Sequence, residues 1–320
     1  MIAVLRQANV HFENAIALAP EIPDAYNAIN DLHSHILINN AIGILDGEIT
    51  EEDVKNAPVE MKKNFDLAIR YARNESQKVS TMFDRAITLG DWSGLAGLTA
   101  HTLQNSDCMP SYWIQLTSTP WGAAEAAYRV FRDATLCDPH RTSAWAQMAR
   151  ARLWLGDYTG VEDVAREANQ KIDAENGLLL TAHILALVNA GKVEEAHRAN
   201  ISQSGRDSQK IMNRAIIAAS LGDADKAAEL QENFLSRFGT DDRISLSMEA
   251  IRGNRSEANR LARLIDSRPG GYLALMMTVL LCSCGAPFDL DAAPGFASKL
   301  EDSGLRWPPS DSVNFPLKTW

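Results

Sequence analysis

The side chains of this 320-residue sequence that could do chemistry are few and scattered. Seven histidines (His11, His33, His35, His101, His140, His183 and His197) are spread along the chain, and only His33 and His35 stand close together. Such an H-x-H pair can hold a metal ion on a strand, but on a helix residues two apart diverge by about 200° and cannot face one ion. One inward and one outward histidine is the plainer reading. The run Asp46-Gly47-Glu48-Ile49-Thr50, closed by Asp53, reproduces the second half of a helix-flanked calcium loop. Its first half fails, because the opening ligand positions are Ile42 and Ile44 and the closing residue is Asp53 in place of a bidentate glutamate. Thr50-Glu51-Glu52-Asp53 fits better as a capping box that starts a helix. The sequence has no G-x-S-x-G elbow, no G-x-x-x-x-G-K-S/T phosphate loop, no H-E-x-x-H and no glycine fingerprint after a strand. No metal, no cofactor and no catalytic residue is therefore expected.

Composition narrows the partner class. Lysines and arginines number 31 against 41 acidic residues, so the net charge of −10 repels phosphate backbones, and no dense basic run offsets it. Nucleic acid is not an expected partner. Cys108, Cys137, Cys282 and Cys284 are too few and too scattered for a disulfide framework, which favours a reducing cytoplasm. The first twenty residues carry Arg6, His11 and Glu13 within an amphipathic pattern and read neither as a signal peptide nor as an anchor. Between Arg268 and Asp289 runs an uncharged stretch, but Pro269-Gly270-Gly271 and Gly285-Ala286-Pro287 shorten its apolar part to Tyr272–Cys282. A buried helix explains that length better than a membrane span does.

The elements that would position these groups are helices. Residues 1–20 place Ala8, Phe12 and Ala15 on one face, and residues 23–40 open at Pro23-Asp24. Helical patterning returns from Val59 to Leu89 with a break near Asn74-Glu75-Ser76, followed by a Gly90-Asp91 turn. Residues 105–120 carry turn formers and two prolines around Tyr112-Trp113, predicting a loop or a distorted short helix and a local hinge. Beyond it, Gly122, Gly156, Gly191, Gly222, Gly253 and Gly285 recur at spacings of 31 to 35 residues. Five residues after the first five of these stand Ala127, Val161, Ala196, Ala227 and Ala258. A glycine can end a helix in the left-handed conformation, and a small residue after the turn lets two helices approach closely. The period marks repeated helix hairpins. Three segments follow: residues 1–104, irregular and carrying an insertion near 40–58; residues 105–288, regular; and residues 289–320, a capping helix and tail with Trp307, Phe315 and Trp320.

The unit DPHRTSAWAQMARARLWLGDYTGVEDVAREA, Asp138 to Ala168, resembles a tetratricopeptide repeat. The resemblance implies an all-α fold, an α-α superhelix of antiparallel hairpins, with a binding surface and no chemistry of its own. In that family the first helix of each hairpin lines a concave groove. The matching positions are Gln147, Arg150 and Trp154, then Thr181 and Asn189, then Gln209, Met212 and Asn213, then Arg243. The set suits an extended peptide or a helix held by amide hydrogen bonds and one or two anchors, although about half of such residues are ordinary packing or surface residues. The family's paired Lys and Asn clamp for a terminal carboxylate is absent, since its positions hold Ala146, Arg150, Thr181, Leu185, Met212 and Ile216. FENAIALAP, PDAYNAINDLHSH, FDRAITLGDWSG and CDPHRTSAWAQMARARLWLGDY are also similar to the repeat regions that bacterial signalling proteins place behind cyclase or winged-helix domains.

Three functional readings follow. The first is a cytoplasmic, non-enzymatic scaffold for a protein or peptide, the sensory or assembly half of a bacterial regulator. The second is an all-helical small-ligand sensor or enzyme with its site in the groove. The third is a homo-oligomer docked through the N-terminal half-repeat, whose face carries Ala8, Phe12 and Ala15.

Overall fold

A computed structural model describes residues 1–308 apart from 45–46, 107, 109–110, 173–175, 204, 240 and 283–285. Among these residues the protein is all-helical, with seventeen α-helices and no strand. The chain begins with α1 (Ile2–Leu18), α2 (Pro23–Ala41), α3 (Glu51–Arg70), α4 (Glu75–Leu89) and α5 (Leu95–Asn105). A short α6 (Tyr112–Thr117) runs into a π-helical turn, Thr119–Ala123, and then α7 (Ala124–Cys137). Pairs follow: α8 (Thr142–Trp154) with α9 (Tyr158–Lys171), α10 (Gly177–Asn189) with α11 (Val193–Ser202), α12 (Asp207–Ser220) with α13 (Ala224–Phe238), and α14 (Asp242–Ile251) with α15 (Arg255–Asp266). The buried α16 (Gly271–Cys282) and α17 (Pro294–Ser303) are the last helices among the described residues.

Local chemistry explains where these helices start and stop. Gly156, Gly191, Gly222 and Gly253 all lie in the left-handed region, φ 73° to 75°, between the two helices of a pair. Asp157 and Asp223, each directly after such a glycine, cap the next helix by accepting from the backbone N–H of Gly160 and Lys226 at 2.9 Å. The glycine ends one helix and the aspartate begins the next. Ala127, Val161, Ala196, Ala227 and Ala258 are all fully buried, as close helix approach requires. Thr50 and Asp53 form the reciprocal capping box of α3: the Thr50 hydroxyl accepts from the Asp53 N–H at 3.1 Å, and the Asp53 carboxylate accepts from the Thr50 N–H at 2.8 Å. Asn74 caps α4 at the expected break.

Gly122 departs from the series. It lies inside the π-helical turn that joins α6 to α7, not between two paired helices, so the period extends only as far back as Gly156. The turn at Gly285, and Asp46, Phe315 and Trp320, lie outside the described residues. Residues 105–120 do contain the distorted short helix that their composition predicts.

The cysteine reading is corrected. Cys108, in the connection after α5, is bonded to Cys137 at the end of α7, with Cα atoms 5.9 Å apart. The two are 29 residues apart in sequence, and only the return of α7 past the 105–111 connection brings them together.

Most consecutive helices pack along the chain, and α8, α10, α12, α14 and α16 also touch in succession. One apolar cluster runs from Ile38 to Leu300, and a smaller one joins Ile2, Leu32, Ile36, Leu37, Met61 and Phe65. The apolar stretch after Arg268 is α16, with Leu273, Ala274, Leu275, Met276 and Val279 fully buried beneath α2, α14, α15 and α17. Being covered on all sides explains its lack of a polar face. No helix among the described residues is long and apolar enough to cross a membrane.

The early and late parts of the chain meet. Asn40 Nδ2 donates to the carbonyl of Pro269 at 3.1 Å, and Arg268 Nη1 donates to the carbonyl of Ala41 at 2.9 Å and to Asp242 Oδ2. Lys299 Nζ donates to the carbonyl of Gly90 at 2.8 Å. Trp92, fully enclosed, meets Tyr272 and Phe296 edge-on at 5.9 and 5.5 Å. Trp307 from the tail packs at a tilt against Phe288 and Trp121, ring centroids 5.2 and 6.2 Å away. The C-terminal segment thus packs on the N-terminal helices as well as on its own neighbours.

Candidate functional site

The nine positions implied by the repeat resemblance divide by burial. Gln147, Arg150, Trp154, Thr181 and Asn213 are buried between helices, so their side chains do not line an open face. Several hold each other: Arg150 Nη1 donates to Gln147 Oε1 at 3.1 Å, Thr181 Oγ1 to Asn213 Oδ1 at 3.0 Å, and Gln209 Nε2 to Thr181 Oγ1. Asn213 Nδ2 continues to Asn200 Oδ1 at 3.2 Å, and Asn200 Nδ2 to the carbonyl of Lys210 at 3.0 Å. This is a polar layer that ties α10, α11 and α12 together. Asn189 is half-buried and donates to the carbonyl of Leu185 one turn back in its own helix. Met212 packs half-buried on the main core, and half-buried Arg243 pairs with Asp241 at 3.6 Å.

A different place gathers unsatisfied polar groups. Asn27, Asn30, Asp31, Ser34 and His35 fall on one stripe of α2, at helical spacings of three, four, seven and eight. With Phe65 of α3, Asp84 and Thr88 of α4 and Trp113 of α6, they line a cleft of about 540 Å³. Phe65 and Trp113 supply buried aromatic surface. His33, two residues before His35, lines the separate groove between α1 and α3 with Arg6, Asn9 and Glu60. The two histidines therefore diverge as the helix geometry requires, and among the described residues no cluster of His, Cys, Asp or Glu could hold a metal ion.

Hydrogen bonds fix how the two asparagines are oriented. Asn27 Nδ2 donates to Thr81 Oγ1 at 3.1 Å, and that hydroxyl is itself committed to the carbonyl of Gln77 at 2.9 Å. Asn64 Nδ2 donates to Asn30 Oδ1 at 3.2 Å. The opposite ends of both amides, Asn27 Oδ1 and Asn30 Nδ2, are buried and have no partner among the described residues. Leaving a buried donor or acceptor unmatched costs about 1–3 kcal/mol each. Both atoms have almost no accessible surface, so the polar stripe of α2 presents other atoms of these side chains to the cleft.

Ionisable groups border the same cleft. Burial pushes the Asp84 carboxyl up to about 7, against the opposing hydrogen bond that Ser111 Oγ donates to its Oδ1 at 2.7 Å. His35 is raised above the ordinary imidazole range, chiefly by its hydrogen bond to Asp31, with burial and the charge of Arg243 opposing. Its Nδ1 lies 3.2 Å from Asp31 Oδ1. His33 is lowered by burial. The border of the cleft thus carries a carboxyl with a raised pKa, Asp84, and a histidine–aspartate pair, His35 with Asp31.

A larger recess of about 770 Å³ lies between α5 and α7 beside the Cys108–Cys137 bridge. Its one unmatched buried group among the described residues is Trp121 Nε1. The α2 cleft is the stronger candidate because it combines a polar helix stripe with the aromatic walls of Phe65 and Trp113.

Of this cleft, His35 stood out in the sequence as half of an apparent metal pair, and Trp113 as part of a short aromatic core. Asn27, Asn30 and Asp84 carried no motif. The signal that could have found them is the polar stripe on α2, read together with the helices that pack over it. No protein-family model matches the chain, and no curated protein matches its sequence.

Proposed function

We propose that this chain is a non-enzymatic binding scaffold built from tetratricopeptide-like hairpins in an α-α superhelix, and that it captures a protein or peptide segment at the α2 cleft. The hairpin reading is supported by four left-handed turn glycines and by a fully buried small residue five positions after each of them. The observation that carries the binding reading is the cleft itself: an aromatic-walled recess of about 540 Å³ lined by a polar stripe of α2. The interior placement of Gln147, Arg150, Trp154, Thr181 and Asn213 moves the proposed contact surface away from the α8–α12 face.

A second reading, a small-ligand sensor, draws support from the compactness of the same cleft. Panning a random peptide library against the full chain tests the first. Selected peptides should bind the native protein and lose binding to Ala28→Trp, a substitution that fills the cleft from a half-buried position. Peptides that bind Ala28→Trp equally well would place the contact elsewhere and sink the reading.

A further inference from the structure

We infer that α1 is a self-association surface: it docks on α1 of a second copy of this chain, antiparallel and two-fold symmetric about Val10. The surface is separate from the α2 cleft, and the inference does not depend on that site. Helix α1 is held on the body by its inner side. Ile2 is fully buried, Asn9 Nδ2 donates to the carbonyl of Ile29 at 3.2 Å, and Arg6 Nη2 donates to Asp53 Oδ2 at 2.9 Å. Ala8, Phe12 and Ala15, the face that the sequence offers for docking, are half-buried along it. The outer side differs. Ala3, Gln7, Val10, Asn14 and Ala17 are all exposed and follow one another at spacings of four, three, four and three, the seam of a helix that pairs with another helix. No formal charge lies on that seam, and Val4, Val10 and Leu18, on or beside it, are 68%, 53% and 88% exposed. A helix face that meets only water ordinarily carries charged residues.

The seam has the same chemistry read in either direction. About Val10, Ala3 mirrors Ala17 and Gln7 mirrors Asn14, so an antiparallel copy sets small residue against small, amide against amide, and Val10 against its own counterpart. Facing amides in such a seam fix the register of the pair. The two formal charges of α1, Arg6 and Glu13, are seven residues apart on one flank of the seam. In the antiparallel arrangement Arg6 of each copy faces Glu13 of the other, and Val4 faces Leu18 in the same way on the opposite flank. A parallel arrangement would instead set the charged flank of one copy against the Val4 and Leu18 flank of the other. Charge complementarity therefore selects the antiparallel form. One such helix pair buries less than the roughly 1,200 Å² at which standard interfaces begin, so the dimer is weak and reversible.

Sedimentation equilibrium of the full chain tests this. The native protein should dimerise with a dissociation constant below about 1 mM. Glu13→Arg makes Arg6 face an arginine at both symmetric contacts and should weaken the dimer at least roughly tenfold. Arg6→Glu should weaken it likewise by facing glutamate with glutamate, and Val10→Lys by placing two ammonium groups at the two-fold axis. An equal mixture of Glu13→Arg and Arg6→Glu should dimerise again, because each arginine of one chain then meets a glutamate of the other. Circular dichroism should show native helicity in every variant. Arg6→Glu also gives up the contact with Asp53, so if it unfolds, Glu13→Arg and Val10→Lys decide the matter. A native chain that stays monomeric up to about 1 mM would overturn the inference and leave the α1 seam to a different protein. A dimer as tight in Glu13→Arg and Val10→Lys as in the native chain would overturn it too, as would folded single variants that fail to pair when mixed.

Discussion

The phenolic hydroxyl of Tyr272 donates to the backbone carbonyl of Thr88 at 2.6 Å, across 184 residues of sequence. Thr88 lies in the last turn of the helix that carries Asp84, and it lines the cleft itself, so the bond ties α16 to the site's own framework. Tyr272→Phe keeps the ring and removes the donor. The expected cost is about 1–2 kcal/mol, because the Thr88 carbonyl loses its partner. Urea unfolding with an unchanged slope would measure it, and an unaltered midpoint would show that the two ends do not dock in solution.

Gly270 tests the same junction through the backbone. Its φ is 83°, and a Cβ built there would lie 2.6 Å from the carbonyl oxygen of Leu37 in α2. Gly270→Ala should therefore destabilise by more than the roughly 1 kcal/mol that a left-handed conformation costs a residue with a side chain. By contrast, a Cβ at Gly222, φ 75°, meets nothing within 4 Å. Gly222→Ala should cost only the conformational part, and thermal melts of the pair separate contact from conformation.

Asp84 makes stability depend on pH. Its folded pKa of about 7 lies above the ordinary value of 3.8, so folding favours the protonated carboxyl. That contribution is fully present below about pH 4 and is lost as pH rises through 7. Asp84→Asn mimics the neutral form while keeping an acceptor for Ser111. The variant should melt above the wild type at pH 8 and lose that advantage at pH 4; an equal difference at both pH values would refute the assignment.

The bridge between Cys108 and Cys137 closes a loop over a sequence separation of 29. Loop-closure entropy assigns such a link about 3–4 kcal/mol. Treatment with dithiothreitol, or Cys108→Ser with Cys137→Ser, should lower the melting temperature, with α6 and the π-helical turn losing amide protection first. A melting curve indifferent to reductant would show that the bond does not form.

Arg150 is almost wholly enclosed and donates to Gln147. Arg150→Ala should cost roughly 2–4 kcal/mol, as the loss of a buried, hydrogen-bonded charged side chain does. Measured by denaturant unfolding, this separates a structural role from a surface binding role, in which binding would fall while stability held.

Much of the secondary structure is legible in the sequence because its causes are local. Gly156, Gly191, Gly222 and Gly253 announce their turns, since left-handed φ suits a residue without a Cβ. Thr50 with Asp53, and Asn74, announce helix starts through bonds spanning three residues. The buried nature of α16 follows from its length and its glycine borders. Gly122 shows the limit: its spacing matched the series, yet the π-helical turn there depends on packing against α7 and α8. Tertiary structure alone decided that Cys108 meets Cys137 and that Asn40 meets Pro269, 229 residues away. It also turned Gln147, Arg150, Thr181 and Asn213 inward. Periodicity says which residues share a helix face; only the neighbouring helices determine whether that face is covered. For the α2 stripe, α3, α4 and α6 cover it incompletely, and the gap they leave is the cleft.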